Sequence, residues 1–129
     1  MLEVLPIQEK QEQELLCARG GIPFRTEALA YKAIVDGEIC GICQFKMDAE
    51  GGKILDFSAM PNRHEFEPMF VMGRAALNFI DLCGAHEAYF EGDKTRAAIA
   101  VGFREKGGKL YADLTGMFDS PCKKHKESE

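Results

Sequence analysis

Asp36-Gly37 lies between two β-like runs, Ala28–Val35 and Ile39–Met47, and no other feature of the chain narrows its fold as much. A two-residue connection of this type needs positive φ at its central positions, which glycine and aspartate tolerate. The two runs are therefore expected to be adjacent antiparallel strands. Gly51-Gly52 marks a second turn, and Lys53 to Met60 reads as the third strand of the same meander.

Around this meander the pattern predicts helices and further strands. Glu3 to Ile7 reads as an opening strand. Gln8 to Arg19 has helix-forming composition, with Leu15 and Leu16 as its apolar contacts and Gly20-Gly21 as its stop. Pro68 suits the first position of a long helix, Pro68–Cys83, because its missing N–H has no intrahelical partner there anyway. Phe70, Gly73, Leu77 and Ile80 recur at helical spacing, and Gly84 follows as a C′ residue. Glu87 to Glu91 reads as a short strand, and Asp93 as the cap of a short helix from Lys94 to Val101 that Gly102 ends. Gly107-Gly108 joins a second hairpin, Phe103 to Lys106 and Lys109 to Leu114. The expected fold is mixed α+β: a mostly antiparallel sheet of about seven strands with helices on its faces.

With 129 residues the chain suits one domain, expected over residues 1–120, with a polar tail at 121–129. A net charge of −5 gives no electrostatic footprint for nucleic acid or an anionic membrane. No apolar stretch approaches the roughly 20 residues that cross a bilayer. The first residues carry Glu3 where a secretion signal would carry bases. Five cysteines without such a signal read as reduced thiols in the cytoplasm.

Several local phrases resemble the GNAT superfamily of acetyl-CoA-dependent N-acetyltransferases. Ala33-Ile34-Val35-Asp36-Gly37-Glu38-Ile39-Cys40-Gly41 is similar to its second-to-third-strand hairpin. Ile54-Leu55-Asp56-Phe57-Ser58-Ala59-Met60-Pro61 is similar to its fourth strand, Gly73-Arg74-Ala75-Ala76-Leu77 to the end of its acetyl-CoA loop, and Gly102-Phe103 to the pair after its short helix. The resemblance implies a seven-stranded GNAT-like sheet, acetyl-CoA as cofactor and a small amine as acceptor. It implies cofactor contacts at Ser58, Ala59 and Met60 and at Met72, Gly73 and Arg74, with Asp56 and Glu91 as candidate bases beside His64 and Glu65. It also implies that the strands ending at Met60 and starting near Glu87 run parallel and splay apart.

The chain departs from that pattern at named positions. Pro68 and Val71 stand where the family's loop has its basic or amide residue and its middle glycine. Glu65 and Glu67 put negative charge beside the expected phosphates, and Ala98 occupies the position of the tyrosine that protonates the leaving thiolate. Acetyl-CoA binding is therefore expected to be weak. The alternative is a non-catalytic binding or interaction module on the same fold, dimeric through Met72 and Phe79, which fall off the main helical stripe.

Cys40 and Cys43 have C-x-x-C spacing, and Cys122 and His125 C-x-x-H spacing. Residues three apart in a strand point to opposite faces, so no metal or disulfide is expected between Cys40 and Cys43.

Overall fold

The computed structural model describes residues 1–118. The expected tail at 121–129, with Cys122 and His125, lies outside the described residues. One sheet has the order β1-β2-β3-β4-β5-β7-β6. Its strands are β1 (Leu2–Pro6), β2 (Leu29–Val35), β3 (Glu38–Asp48), β4 (Gly51–Ala59), β5 (Glu87–Phe90), β6 (Arg104–Lys106) and β7 (Lys109–Asp113). The helices are α1 (Lys10–Gly20), α2 (Phe66–Leu82) and α3 (Arg96–Val101). Every pairing is antiparallel except β4 with β5.

Both expected hairpin tips are present. Asp36 and Gly37 have φ of 51° and 85°, and Gly107 and Gly108 have 60° and 81°, the positive values that primed turns require. Elsewhere the element ends moved. The cap of α3 is Thr95, not Asp93: its hydroxyl accepts the Ala98 N–H at 3.1 Å, and the helix begins at Arg96, two residues later than the expected Lys94.

The sheet carries helices on both faces. On one face, Met72, Ala76, Leu77 and Ile80 of α2 pack with Val101 of α3 over Cys43, Phe45, Ile54 and Ala88. On the other, Leu16 and Cys17 of α1 pack over Ala30, Ile42 and Met60. Cys40 lies on a strand position one removed from Gly41, whose ideal Cβ would touch Met69 and Met72, whereas Cys43 belongs to the α2 core; the two thiols project to opposite faces.

Two expectations are corrected by this packing. Met72 is completely buried under the sheet and forms no second outward face, because α2 covers three central strands and needs a wide apolar stripe. Leu15 is 67% exposed, and the inward positions of α1 are Gln13, Leu16, Cys17 and Gly20, the i, i+3, i+4, i+7 set.

Gly52 shows how tightly α2 is seated: a Cβ there would lie 2.4 Å from Ile80 Cγ2 and 2.7 Å from its Cδ1. Gly52→Ala should lower stability by about 1–3 kcal/mol through overpacking, measured by urea unfolding, while Gly20→Ala, with its nearest contact at 3.3 Å, should have the smaller effect.

Candidate functional site

β4 and β5 pair only briefly. Gly52, Lys53 and Ile54 face Ala88, Tyr89 and Phe90, and the Glu91 N–H closes the ladder on the Ile54 carbonyl at 3.0 Å. β4 then continues to Ala59 with no partner on that side. Its other edge is held by β3, where the Met60 N–H bonds the Cys40 carbonyl at 2.8 Å and Ser58 faces Ile42. Hydrogen-bonding direction alternates along an antiparallel strand. Phe57 and Ala59 therefore turn their N–H and C=O groups away from β3, toward the gap.

A register shift between Gln44 and Phe45 leaves Leu55 as an extra residue in β4. Such a bulge reverses the side-chain parity of the strand beyond it. Ile54 and Phe57 both belong to the α2 face, while Asp56, Ser58 and Met60 face α1.

The α2 side of the gap is closed by side chains. Ile54, Phe57, Phe90, Val101 and Phe103 meet around Gly73 and Ala98 and leave no cavity that water could enter. Phe57 and Phe90 form an edge-to-face pair at 6.2 Å. A Cβ on Gly73 would lie 2.7 Å from Val101 Cγ2, so glycine here lets α3 approach α2. The Arg74 guanidinium donates to the Val101 carbonyl at 2.6 Å and stacks on Phe70. Met72 and Gly73 are thus packed inside the chain, Arg74 joins α2 to α3, and Ser58 Oγ is bonded to the Gly20 carbonyl at 2.9 Å.

The N-terminus of α2 is the natural place for a phosphate. It begins at Phe66 behind Glu65, carries Glu67 in its first turn and loses one donor at Pro68. Arg63, the nearest cation in sequence, is engaged by Glu65 at 2.6 Å and Glu38 at 2.9 Å. The residues present fit the acyl-pantetheine arm of acetyl-CoA along β4 and do not fit its pyrophosphate.

On the α1 face a buried polar network surrounds Asp56. The fully buried Gln44 donates to Asp56 Oδ2 and to the Pro23 carbonyl, both at 2.8 Å, and accepts from Gln13 at 2.8 Å and from the Arg25 N–H at 3.0 Å. Arg25 completes the set with Nε 2.6 Å from Asp56 Oδ2. That hydrogen bond is the main reason the guanidinium is held even more firmly protonated than usual, with burial opposing it and Glu91 adding a smaller field. Nearby, burial and secondarily Asp56 push the Cys17 thiol up to about 11, against the pull of Arg25.

The sequence brought Asp56 and Glu91 forward as bases, and the structure separates their conditions. Asp56 is occupied by Arg25 and Gln44, whereas Glu91 is exposed at the end of β5 where the strands part. Gln13, Arg25 and Gln44 belong to no motif in the sequence, and the signal for them is a glutamine inside the apolar run Ile39–Met47.

No family model and no curated protein matches the sequence. Solved structures do match its fold. A GNAT family acetyltransferase from Brucella melitensis in complex with acetyl-CoA is 15% identical, with 88% of each chain covered and a TM-score of 0.67. An IAA acetyltransferase from Bacillus cereus is 14% identical, with 88% of this chain and 100% of that chain covered and a TM-score of 0.67. The ribosomal-protein-S18-alanine N-acetyltransferase from Escherichia coli is 11% identical over 88% of this chain and 94% of that one, with a TM-score of 0.67. The chain has the GNAT fold.

Two outcomes test the site's chemistry. Gln44→Leu should destabilise the protein by about 2–3 kcal/mol, because it strands the Arg25 N–H and the Pro23 carbonyl and takes one hydrogen bond each from Asp56 and Gln13; chemical denaturation reads this. Iodoacetamide at pH 8 should alkylate the exposed Cys83 and spare Cys17 and Cys43, whose thiols burial holds neutral, as peptide mass spectrometry would show.

Proposed function

We propose that this chain is an N-acyltransferase that takes the acyl group of acetyl-CoA and passes it to a small amine beside Glu91. The observation that carries the reading is the parting of the parallel pair β4–β5 just after Ile54 and Phe90, with the outward peptide groups of Phe57 and Ala59 beyond it. An acyl-pantetheine arm is itself a chain of amides, and an unpaired strand edge offers it donors and acceptors in register. Of the expected stretch Ser58–Met60, Ala59 belongs to this outward edge, while Ser58 and Met60 turn their peptide groups to β3. Met72 and Gly73 support the arm from within by holding α2 and α3 in place, and Arg74 by its bond to Val101. The GNAT fold supports the reading further, since the Brucella protein was solved with acetyl-CoA.

In this reading the Glu91 carboxylate accepts a proton from the acceptor's ammonium. The amine nitrogen then forms its bond to the acyl carbon as the carbon–sulfur bond breaks. The second proton, shed by the nitrogen as it becomes an amide, would pass through water to the leaving sulfur, because position 98 is an alanine that is 1% exposed and supplies no acid. Asp56 contributes negative potential but not proton transfer, being already paired with Arg25. The setting proposed is the cytoplasm, where Cys17, Cys40, Cys43 and Cys83 stay as free thiols. Among the described residues no helix is long and apolar enough to cross a membrane.

A second reading, a non-catalytic module that pairs with its own copy, is favoured by one observation. Leu29, Tyr31, Phe45 and Phe79 line an open, largely apolar hollow of about 320 Å³, and Leu29 is 44% exposed. Phe79 remains its candidate contact, half-buried against Phe45 at 5.7 Å. In this reading Phe79→Glu gives a folded monomer from a wild-type dimer; light scattering that finds the wild type monomeric at high concentration ends it.

The transferase reading predicts that acetyl-CoA raises the melting temperature, since a ligand that binds only the native state stabilises it. S-acetyl-pantetheine should do so to the same extent, with a Kd of the order of 1 mM, or ~4 kcal/mol, for both in calorimetry. Val71→Gly should change neither, because Glu65, Glu67 and Pro68 remain. No thermal shift with either compound overturns the reading; micromolar binding of intact CoA overturns the account of the phosphate end.

A further inference from the structure

Ala88 and Phe90 of β5, and Leu110 and Ala112 of β7, turn into the α2 core. The alternate residues Tyr89, Glu91, Lys109 and Tyr111 therefore face the opposite side of the sheet. There α1 lies over β3, and Lys109 and Glu91 are exposed. An open hollow of about 500 Å³ lies at the end of these strands, lined among others by Lys53, Tyr89, Glu91, Asp93, Glu105 and Lys109. That is within the range of about 300–1,000 Å³ typical of small-ligand clefts.

The charges of the hollow are sorted in a specific way. Lys53 is paired with Asp48 at 3.2 Å and Glu50 at 3.4 Å, and Lys94 with Glu105 at 2.9 Å. Among the described residues this leaves Glu91, Asp93 and Lys109 without an ion-pair partner. Phe90 faces Leu110 across the β5–β7 ladder, so Glu91 and Lys109 occupy the next opposed positions. They nonetheless do not pair with each other: Lys109 Nζ sits 5.6 Å from the centroid of the Tyr89 ring. The hollow therefore presents a carboxylate and an ammonium at opposed strand positions beside the Tyr89 ring, and the neighbouring Tyr111 ring, 5.4 Å away, carries the Lys106 ammonium at 4.4 Å.

A simple cation satisfies Glu91 and leaves Lys109 unmatched, and a simple carboxylate is repelled by Glu91 and Asp93. A ligand with both groups on one carbon matches the pattern. We propose that the acceptor is the α-amino group of a free amino acid with an apolar or aromatic side chain. Its ammonium lies on Glu91, its carboxylate on Lys109, and its side chain on the Tyr89 ring. Glu91 is also the residue whose N–H closes the β4–β5 ladder, so this places the amine at the point where the strands part. The acyl-transfer step of this inference rests on the function proposed above; the amino-acid site itself does not.

The test uses the whole chain without acetyl-CoA, with ligand-observed NMR titration of L-phenylalanine, 2-phenylethylamine and N-acetyl-L-phenylalanine. Phenylalanine should bind about fivefold tighter than either analogue, the scale of one partly exposed ion pair. Lys109→Ala should remove the preference over phenylethylamine, and Glu91→Gln the preference over the N-acetyl compound. Both side chains are exposed, so these variants should keep the wild-type fold, checked by circular dichroism. Equal or tighter binding of phenylethylamine, or no binding of phenylalanine, overturns the site. With acetyl-CoA added, phenylalanine binding without formation of N-acetylphenylalanine overturns the transferase reading while leaving the amino-acid site standing.

Discussion

The extra residue at Leu55 turns one strand into two functional halves, and the rest of the candidate site is arranged around that turn. Before it, β4 pairs with β5, and Gly52 and Ile54 face the α2 core. Beyond it, Asp56, Ser58 and Met60 face α1, while Phe57 returns to the α2 side. The reversal lets a single nine-residue strand supply a polar network to one helix and a packed wall to another. It also coincides with the end of the β5 ladder, so the unpaired peptide edge begins where the side chains change sides.

The α1 side of that arrangement is held by polar contacts more than by apolar area. Leu16 and Cys17 are its buried apolar residues, and Gln13 and Gln44 bridge the helix to the strand. Every buried side-chain polar atom among the described residues has a partner. A network of this kind stabilises modestly when complete and is expensive when broken. Its consequence for chemistry is direct. Asp56, the carboxylate whose place on β4 drew notice first, already serves as acceptor for Arg25 and Gln44. Glu91 lies outside this network, exposed at the end of β5.

Much of this fold was legible because its signals are local. Asp36-Gly37 and Gly107-Gly108 need positive φ, Gly84 ends α2 with φ of 98°, and the parallel β4–β5 pair followed from the resemblance to the GNAT superfamily. The residues that define the site are legible only across the sheet. Glu91 and Lys109 are opposed because β5 and β7 share a register, and Arg25 meets Asp56 across thirty-one residues of sequence. Helical spacing likewise says that Met72 and Phe79 lie off the narrow stripe, but not how wide a stripe the sheet beneath will cover. Met72 is buried because β3 contributes a glycine, Gly41, whose absent side chain leaves room for it.

The two ends of the proposed cofactor path obey different physics, which is why one can persist without the other. A strand edge offers peptide groups whatever its side chains are, so Phe57 and Ala59 present donors and acceptors as long as β5 ends early. A phosphate site needs convergent N–H groups, close approach and a favourable potential together. At the start of α2, Pro68 removes an N–H, Glu65 and Glu67 offset the positive potential of the helix N-terminus, and Arg63 is already neutralised by two glutamates. Meanwhile Arg74, which would face the ligand in an open slot, bonds Val101 and draws α3 against Gly73. The slot is closed by apolar packing that itself stabilises the fold, so reopening it for a phosphate would give up buried contacts among Phe57, Phe90, Val101 and Phe103. In the proposed function, recognition then falls to the acceptor side, where Tyr89 lies beside the opposed Glu91 and Lys109.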